Sequence, residues 1–106
     1  MTARKILVAA RAMIADSEHW TQGAFARDKY YNSVSPGSSH ATRWCAVGAI
    51  MRVARPSGPI RAADAHRLLF RVIRETTRFH DITDLNDNYG HDAVLLAFDL
   101  AIKEAP

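Results

Sequence analysis

The sequence contains one cysteine, Cys45, among its 106 residues, so no disulfide can form within the chain. A single thiol is typical of proteins from reducing compartments, and we expect a cytoplasmic location. No apolar run approaches the roughly 20 residues that a membrane span requires, so we expect no membrane partner. The apolar N-terminus is interrupted by Arg11 and Asp16, and it is too short for a secretory signal.

Aromatic residues are also few, at 8% of the chain, so we expect them to anchor the core of so small a protein. The remaining composition, with 48% hydrophobic and 24% charged residues, is ordinary for a globular protein. The chain is long enough to bury a core without a structural metal. We therefore expect one domain over residues 1–106, with no cofactor and no metal.

Charge is distributed unevenly, although the net charge is only +3. Between Arg43 and Arg78 there are eight arginines and two acids, whereas six acids and one base follow from Asp81 onward. This asymmetry is compatible with a nucleic-acid surface, and equally with two parts of one fold that attract each other. In so short a chain we favour the second interpretation.

The most apolar stretch predicts a buried central helix over about 42–55. Pro56 ends this helix, because proline cannot continue the hydrogen-bond ladder. Cys45, Gly48 and Ala49 form a line of small residues along which a neighbouring helix can approach closely. Trp44 anchors the other side of the helix.

Periodicity predicts three further helices, over residues 3–15, 59–77 and 91–104. A short helical piece carrying an inward-facing Phe25 is expected before a loop over 29–40, and a second, polar loop is expected over 79–90. The predicted fold class is therefore all-α: a compact bundle of about four helices around the central helix, with two ordered loops.

Several short motifs resemble one family of small bacterial and phage proteins known only as a domain of unknown function. The most specific motif is Trp-Cys-x-x-Gly-Ala, at 44–49, and Asn86-Asp87 is the next. Trp20-Thr21-Gln22-Gly23 and the final helix also fit, so the resemblance extends from about Ile6 to Ala105. Leu85 stands where the family usually has tryptophan. The resemblance implies one compact domain and no particular activity.

Cys45 is the sharpest candidate for chemistry. A cysteine in the first turn of a helix is favoured as a thiolate, and a histidine from elsewhere can act as its base. His80 and His91 are the candidate bases for such a cysteine-dependent hydrolase or transferase. Papain-like hydrolases supply that histidine from a β-sheet, however, and no strand is evident after Cys45. Free cysteine is also commonly a small core residue.

The segment 80–92 is rich in Asp, Asn and His, which are possible ligands of a divalent cation. It does not fit the calcium-loop pattern, because its glycine falls one place late and Leu95 occupies the position of the bidentate acid. We therefore interpret these side chains as closing turns and capping the last helix.

Four arginines recur about one turn apart on the third predicted helix, so they share one line on its outer side. Such a line suits sequence-independent contact with phosphates, although it is more often a solvated face. The line consists of Arg67, Arg71, Arg74 and Arg78.

The sequence favours a small, non-catalytic binding or interaction protein, with self-association or a protein partner expected. The alternatives are the cysteine-dependent enzyme and a nucleic-acid-associated accessory protein that uses the arginine line. Four motif residues are further candidates for a binding site, and they would form a small polar pocket if they converge near Cys45. They are Trp20, Gln22, Asn86 and Asp87.

Overall fold

The computed structural model describes all 106 residues and contains five α-helices and one two-stranded sheet. The predicted fold class is correct in being mostly helical, but it is wrong in omitting the sheet and the fifth helix. None of the helices combines the length and the hydropathy that a membrane crossing requires. The helices are α1 (Ala3–Met13), α2 (Ala46–Ala54), α3 (Pro59–Thr76), α4 (Ile82–Asn88) and α5 (His91–Glu104), and the strands are β1 (Ala26–Arg27) and β2 (Arg43–Trp44).

The two strands pair antiparallel, with Ala26 opposite Trp44 and Arg27 opposite Arg43. The sheet is continued at one end by the Cys45 N–H, which donates to the Phe25 carbonyl at 3.2 Å. The helical geometry predicted for the segment around Phe25 and for residues 42–45 is therefore wrong. Pairing between segments far apart in sequence determines the conformation of both, and local propensity does not include that pairing.

Helix α2 consequently begins at Ala46, later than the predicted helix over 42–55, and Cys45 is its N-cap. The Cys45 Sγ accepts a hydrogen bond from the Gly48 N–H at 3.3 Å. Most of the helix is buried, and Ala49 and Ile50 lie in the core. Met51 is 42% exposed, so α2 has one face open to solvent, contrary to the expectation of a helix buried all round.

Gly48 brings α2 into direct contact with the chain that precedes β1. A Cβ atom at this position would overlap the backbone carbonyl of Phe25. The small residues of α2 therefore do allow a close approach, but the neighbour at Gly48 is an extended backbone and not the expected helix. Phe25 itself is 50% exposed, because its backbone and not its ring is held against α2.

The core lies where the helices meet. Helix α2 packs against α1, α3 and α4, and α5 packs against the same three helices. Phe98 is the largest of the fully buried side chains, and α1 contributes Ile6, Leu7 and Ala10 beside it. The first, third and last predicted helices are present, with ends that differ from the predicted ends by two residues at most.

Helix α4 occupies most of the segment that was predicted to be a polar loop over 79–90. Asp81 is its N-cap, and the carboxylate accepts a hydrogen bond from the Asp84 N–H at 2.7 Å. Ile82 and Leu85 are buried on its inner side. The Asp and Asn residues that suggested turns therefore belong to a short helix or cap it. This helix places Asn86 and Asp87 against the start of α2.

Candidate functional site

Asn86 joins three parts of the chain and is only 1% exposed. Its Oδ1 accepts hydrogen bonds from Trp20 Nε1 at 2.8 Å and from the Ala46 N–H at 3.0 Å. Its Nδ2 donates to the Thr21 carbonyl and to Asp87 Oδ1, both at 3.0 Å. Each polar atom of the amide thus has two partners, which is the full capacity of an asparagine side chain.

Gln22 and Asp87 extend this network along the loop that precedes β1. Gln22 Nε2 donates to the carbonyls of Asn86 and Tyr89, both at 3.0 Å. Asp87 Oδ1 accepts a hydrogen bond from the Gly23 N–H at 3.0 Å. Gly23 has a φ of +78°, a conformation that side chains other than glycine adopt at a cost. These residues hold the loop against α4, and of the four motif residues only Asp87 lines a cavity together with Cys45.

This cavity, of about 320 Å³, lies at the start of α2. Asp87 is the charged residue of its wall, and its Oδ2 makes no hydrogen bond within the protein, since Oδ1 takes both donors. Cys45 also lines this cavity. The lining residues are Gly23, Ala24, Phe25, Ser33, Cys45, Thr83 and Asp87.

Cys45 is buried, with 4% of its surface exposed. Removal from water raises the pKa of the thiol, because burial disfavours the thiolate, and the nearby charge of Asp87 raises it further. Hydrogen bonds from the backbone N–H groups at the start of α2 lower this pKa, but burial is the larger effect. The side chain therefore remains a thiol at neutral pH, which is the opposite of an activated nucleophile.

Neither candidate histidine lies in hydrogen-bond contact with Cys45. His91 is the first residue of α5, and its Nε2 is 2.6 Å from the Ile14 carbonyl, so the protonated Nε2 donates there. Its ring lies beside Trp20, with the centroids 5.2 Å apart. His80 is exposed, and its backbone N–H donates to Asp84 Oδ2. The pairs required for a cysteine-dependent hydrolase are thus not assembled around this thiol.

No group of three or more His, Cys, Asp or Glu side chains is arranged to hold a metal ion. In the Asp-rich segment, Asp81 and Asp84 instead accept hydrogen bonds from the backbone at the beginning of α4. The segment therefore folds as a capped helix.

The residues of this network lie between Trp20 and Tyr89, and a family comparison covers nearly the whole chain. A family of unknown function, DUF6197, matches residues 1–104. The chain belongs to the DUF6197 family. No curated protein and no solved structure matches the chain.

Membership of DUF6197 confirms the predicted resemblance to a family of unknown function. The bacterial or phage origin, the cytoplasmic location and the assignment of the individual motifs to the family stay predictions. The family description names no activity, so the function of this DUF6197 protein has to be argued from its own surfaces.

The arginines of the predicted line are all exposed, and acids contact part of the line. Only Arg67, Arg71 and Arg74 lie on α3, because the helix ends at Thr76 and Arg78 follows the extended Thr77. Arg67 lies 3.4 Å from Asp64, and Arg71 lies 3.6 Å from Glu104 at the end of α5. Arg74 packs over the ring of Phe70, while Arg78 makes no ion pair within the protein. Phosphate binding along this line stays a prediction, and only its C-terminal half carries arginines free of acids.

The largest concave surface is an apolar groove of about 680 Å³. It lies between the end of α3, helix α4 and the outer side of α5. Leu96 is 59% exposed and Leu100 is 36% exposed at its rim. Neither leucine was predicted as a site residue. The lining residues are Glu75, Thr76, Thr77, Arg78, Phe79, Leu85, Tyr89, Ala93, Leu96, Ala97 and Leu100.

Proposed function

We propose that this DUF6197 protein is a non-catalytic interaction protein that self-associates through the outer face of α5. The observation that carries the proposal is a stripe of exposed residues on α5, formed by Asp92, Leu96, Leu100 and Lys103. The exposed Asp99 lies on the same side and is paired with Arg11. At about 100° of rotation per residue, these four positions lie within about 80° of the helix circumference. The stripe has two leucines at its centre, an acid at its N-terminal end and a base at its C-terminal end.

Such a stripe is complementary to itself. When two copies of α5 cross antiparallel about a two-fold axis between Leu96 and Leu100, Leu96 of one copy faces Leu100 of the other. The same rotation brings Asp92 of one copy near Lys103 of the other. Two-fold interfaces require this property, since the same patch must contact itself. The antiparallel arrangement also places opposite ends of the two helix dipoles side by side.

The apolar groove supports the same arrangement, because it extends the apolar surface from α5 onto neighbouring elements. Helix α5 has 14 residues and is therefore about 21 Å long, which is sufficient for a helix-to-helix contact over several turns. Tyr89, on the far wall of the groove, is 61% exposed and would be covered by the second copy. Full burial of a leucine contributes roughly 1.5–3 kcal/mol, so the four leucines of a dimer are the main source of affinity.

Sedimentation-velocity measurements over protein concentrations from about 1 to about 500 μM test the proposal, since modest interfaces dissociate in this range. We expect the wild-type protein to convert from monomer to dimer as its concentration rises. Leu96→Glu should remain monomeric, because the dimer would bury two unpaired carboxylates. The matched control is Ile60→Glu, at an apolar position on α3 that is 75% exposed and lies outside the groove.

A charge exchange tests the antiparallel geometry. Asp92→Lys and Lys103→Asp should each weaken the dimer, because each places like charges together at both ends of the interface. The double variant should restore the wild-type dissociation constant. A wild-type protein that stays monomeric over the whole range, or a double variant weaker than both single variants, would contradict the proposal.

A further inference from the structure

Two neighbouring tyrosines present their rings to solvent on the side of β1 and β2. Tyr30 is 74% exposed and Tyr31 is 56% exposed. A cation lies over one face of each ring: Lys29 Nζ is 5.1 Å from the centroid of Tyr30, and the Arg27 guanidinium is 4.4 Å from that of Tyr31. Arg43 is 5.9 Å from the Tyr31 centroid. Exposed aromatic rings of this kind, bordered by bases, are not needed for the core.

The loop holds this exposed arrangement through internal hydrogen bonds. Asp28 Oδ1 accepts from the N–H groups of Tyr30 and Asn32, both at 2.9 Å. Arg27 donates to Thr21 Oγ1 at 3.0 Å and to the Tyr31 carbonyl at 3.1 Å. Tyr31 has a φ of +70°, a left-handed conformation that is costly for a residue with a bulky side chain. Strained conformations persist where the surroundings enforce them, and they concentrate at binding sites.

A cavity of about 250 Å³ opens beside Tyr30. The Lys29 ammonium, the His40 imidazole and the Ser39 and Thr42 hydroxyls provide hydrogen-bond donors in its wall. Asp28 also lines it, but both carboxylate oxygens of Asp28 are occupied by Tyr30 and Asn32. The donors suit a phosphate group. The lining residues are Asp28, Lys29, Tyr30, Ser39, His40 and Thr42.

We propose that this face binds single-stranded nucleic acid. An unpaired base stacks on the free side of the Tyr30 ring, and the phosphate of the same strand enters the adjacent cavity. Tyr31 and Arg43 form the binding position for the next nucleotide along the nucleic-acid strand. Aromatic rings stack on any base, and basic side chains around them follow the backbone, which is the usual design of sequence-tolerant single-strand binding. Residues 27–43 carry three basic residues and one acid, so the charge is complementary to phosphate.

This surface differs from the arginine line, whose Arg78 borders a groove that is lined mainly by hydrophobic residues. It also lies apart from the α5 stripe, since none of its residues is shared with the apolar groove. Duplexes are poor ligands for it, because paired bases are stacked on one another and do not reach a tyrosine ring.

Fluorescence anisotropy with a labelled single strand of about 10 nucleotides, at low salt, tests the proposal. We expect Tyr30→Ser to weaken binding roughly tenfold, and Tyr30→Phe to retain it, since the ring is kept. Lys29→Gln should reduce the slope of log affinity against log salt by about 0.7, the value for one lost phosphate contact on a single strand. The matched controls are Val8→Ser, at an exposed apolar residue of α1, and Lys5→Gln, at an exposed lysine of the same helix.

Four results would overturn the proposal. The first is the absence of binding by the wild-type protein at low salt, and the second is tighter binding of a duplex than of the single strand. The third is equal loss of affinity in Tyr30→Ser and Val8→Ser. The fourth is loss of affinity in the double variant Arg74→Gln, Arg78→Gln while Tyr30→Ser binds normally, which would place the nucleic acid on α3.

Discussion

Cys45 shows that the type of a residue does not by itself determine its role in the protein. Its place at the start of a helix could be approximated from sequence, and a thiol at that place suggested a nucleophile. The role of Cys45 depends on the residue at which α2 begins. The pairing of Arg43–Trp44 with a distant strand determines that residue. With Cys45 as the N-cap, the sulfur accepts a hydrogen bond from Gly48 and is removed from solvent. The sequence allowed both a nucleophile and a small core residue, and the burial of Cys45 agrees with the second.

The raised pKa of the Cys45 thiol predicts a pH dependence of stability. The folded protein keeps the thiol proton at a pH where the unfolded chain, with an ordinary thiol pKa of about 8.5, has lost it. Stability from this group is thus complete below that pH and is lost as the pH rises toward the higher folded-state pKa. We expect the free energy of unfolding to fall by up to about 1.4 kcal/mol per pH unit in this window.

Urea unfolding between pH 7 and pH 10 measures this dependence. Cys45→Ser is the matched control, because serine can cap α2 but does not titrate in this range. The wild-type free energy should decline relative to that of the variant only at the alkaline end. Parallel curves for the two proteins would show that the thiol does not change its pKa on folding.

At the scale of elements, α4 is the helix that could not be predicted from the sequence. It has only seven residues, too few for a 3.6-residue period to be distinguished, and most of them are residue types that favour turns. Ile82 and Leu85, three residues apart, were the available signal. Helix α4 is short for a helix that is stable by itself, so its position depends on contacts with the rest of the chain.

Asn86→Ala should therefore destabilise the protein by about 3 kcal/mol. It leaves the Trp20 indole N–H, the Ala46 N–H and the Thr21 carbonyl without their partner in a buried site. Chemical denaturation followed by circular dichroism measures the loss. Asn88→Ala is the control at an exposed asparagine of the same helix, whose amide donates to the Asp84 carbonyl, and it should cost less than about 1 kcal/mol. Equal losses in the two variants would mean that Asn86 is not the anchor of α4.

For the whole molecule, the long helices were predictable because their hydrophobic period repeats over several turns. The sheet was not predictable, because strands of two residues each are too short to show a hydrophobic period. The charge asymmetry was predicted to draw the basic and acidic parts of the chain together. Arg71 and Glu104 do approach to 3.6 Å across that divide. Asp81, however, caps α4, and Asp99 pairs with Arg11 of α1.

Self-association predicts a stability that depends on concentration. A dimer that forms only from folded chains stabilises the folded state by mass action. The midpoint of thermal unfolding should rise by a few degrees over a hundredfold increase in concentration, which differential scanning calorimetry can follow. Leu96→Glu should have a midpoint that does not change with concentration. A constant midpoint in the wild-type protein as well would contradict the dimer.

The contact between Gly48 and Phe25 has a mechanical consequence. Two backbones meet there with no side chain between them that could change rotamer and absorb a displacement. Phe25 is also part of the wall of the cavity above Cys45. Any movement of that wall is therefore transmitted directly to the first turn of α2, and from α2 to the three helices packed on it. A side chain added at Gly48 would therefore push the cavity wall and the helix apart.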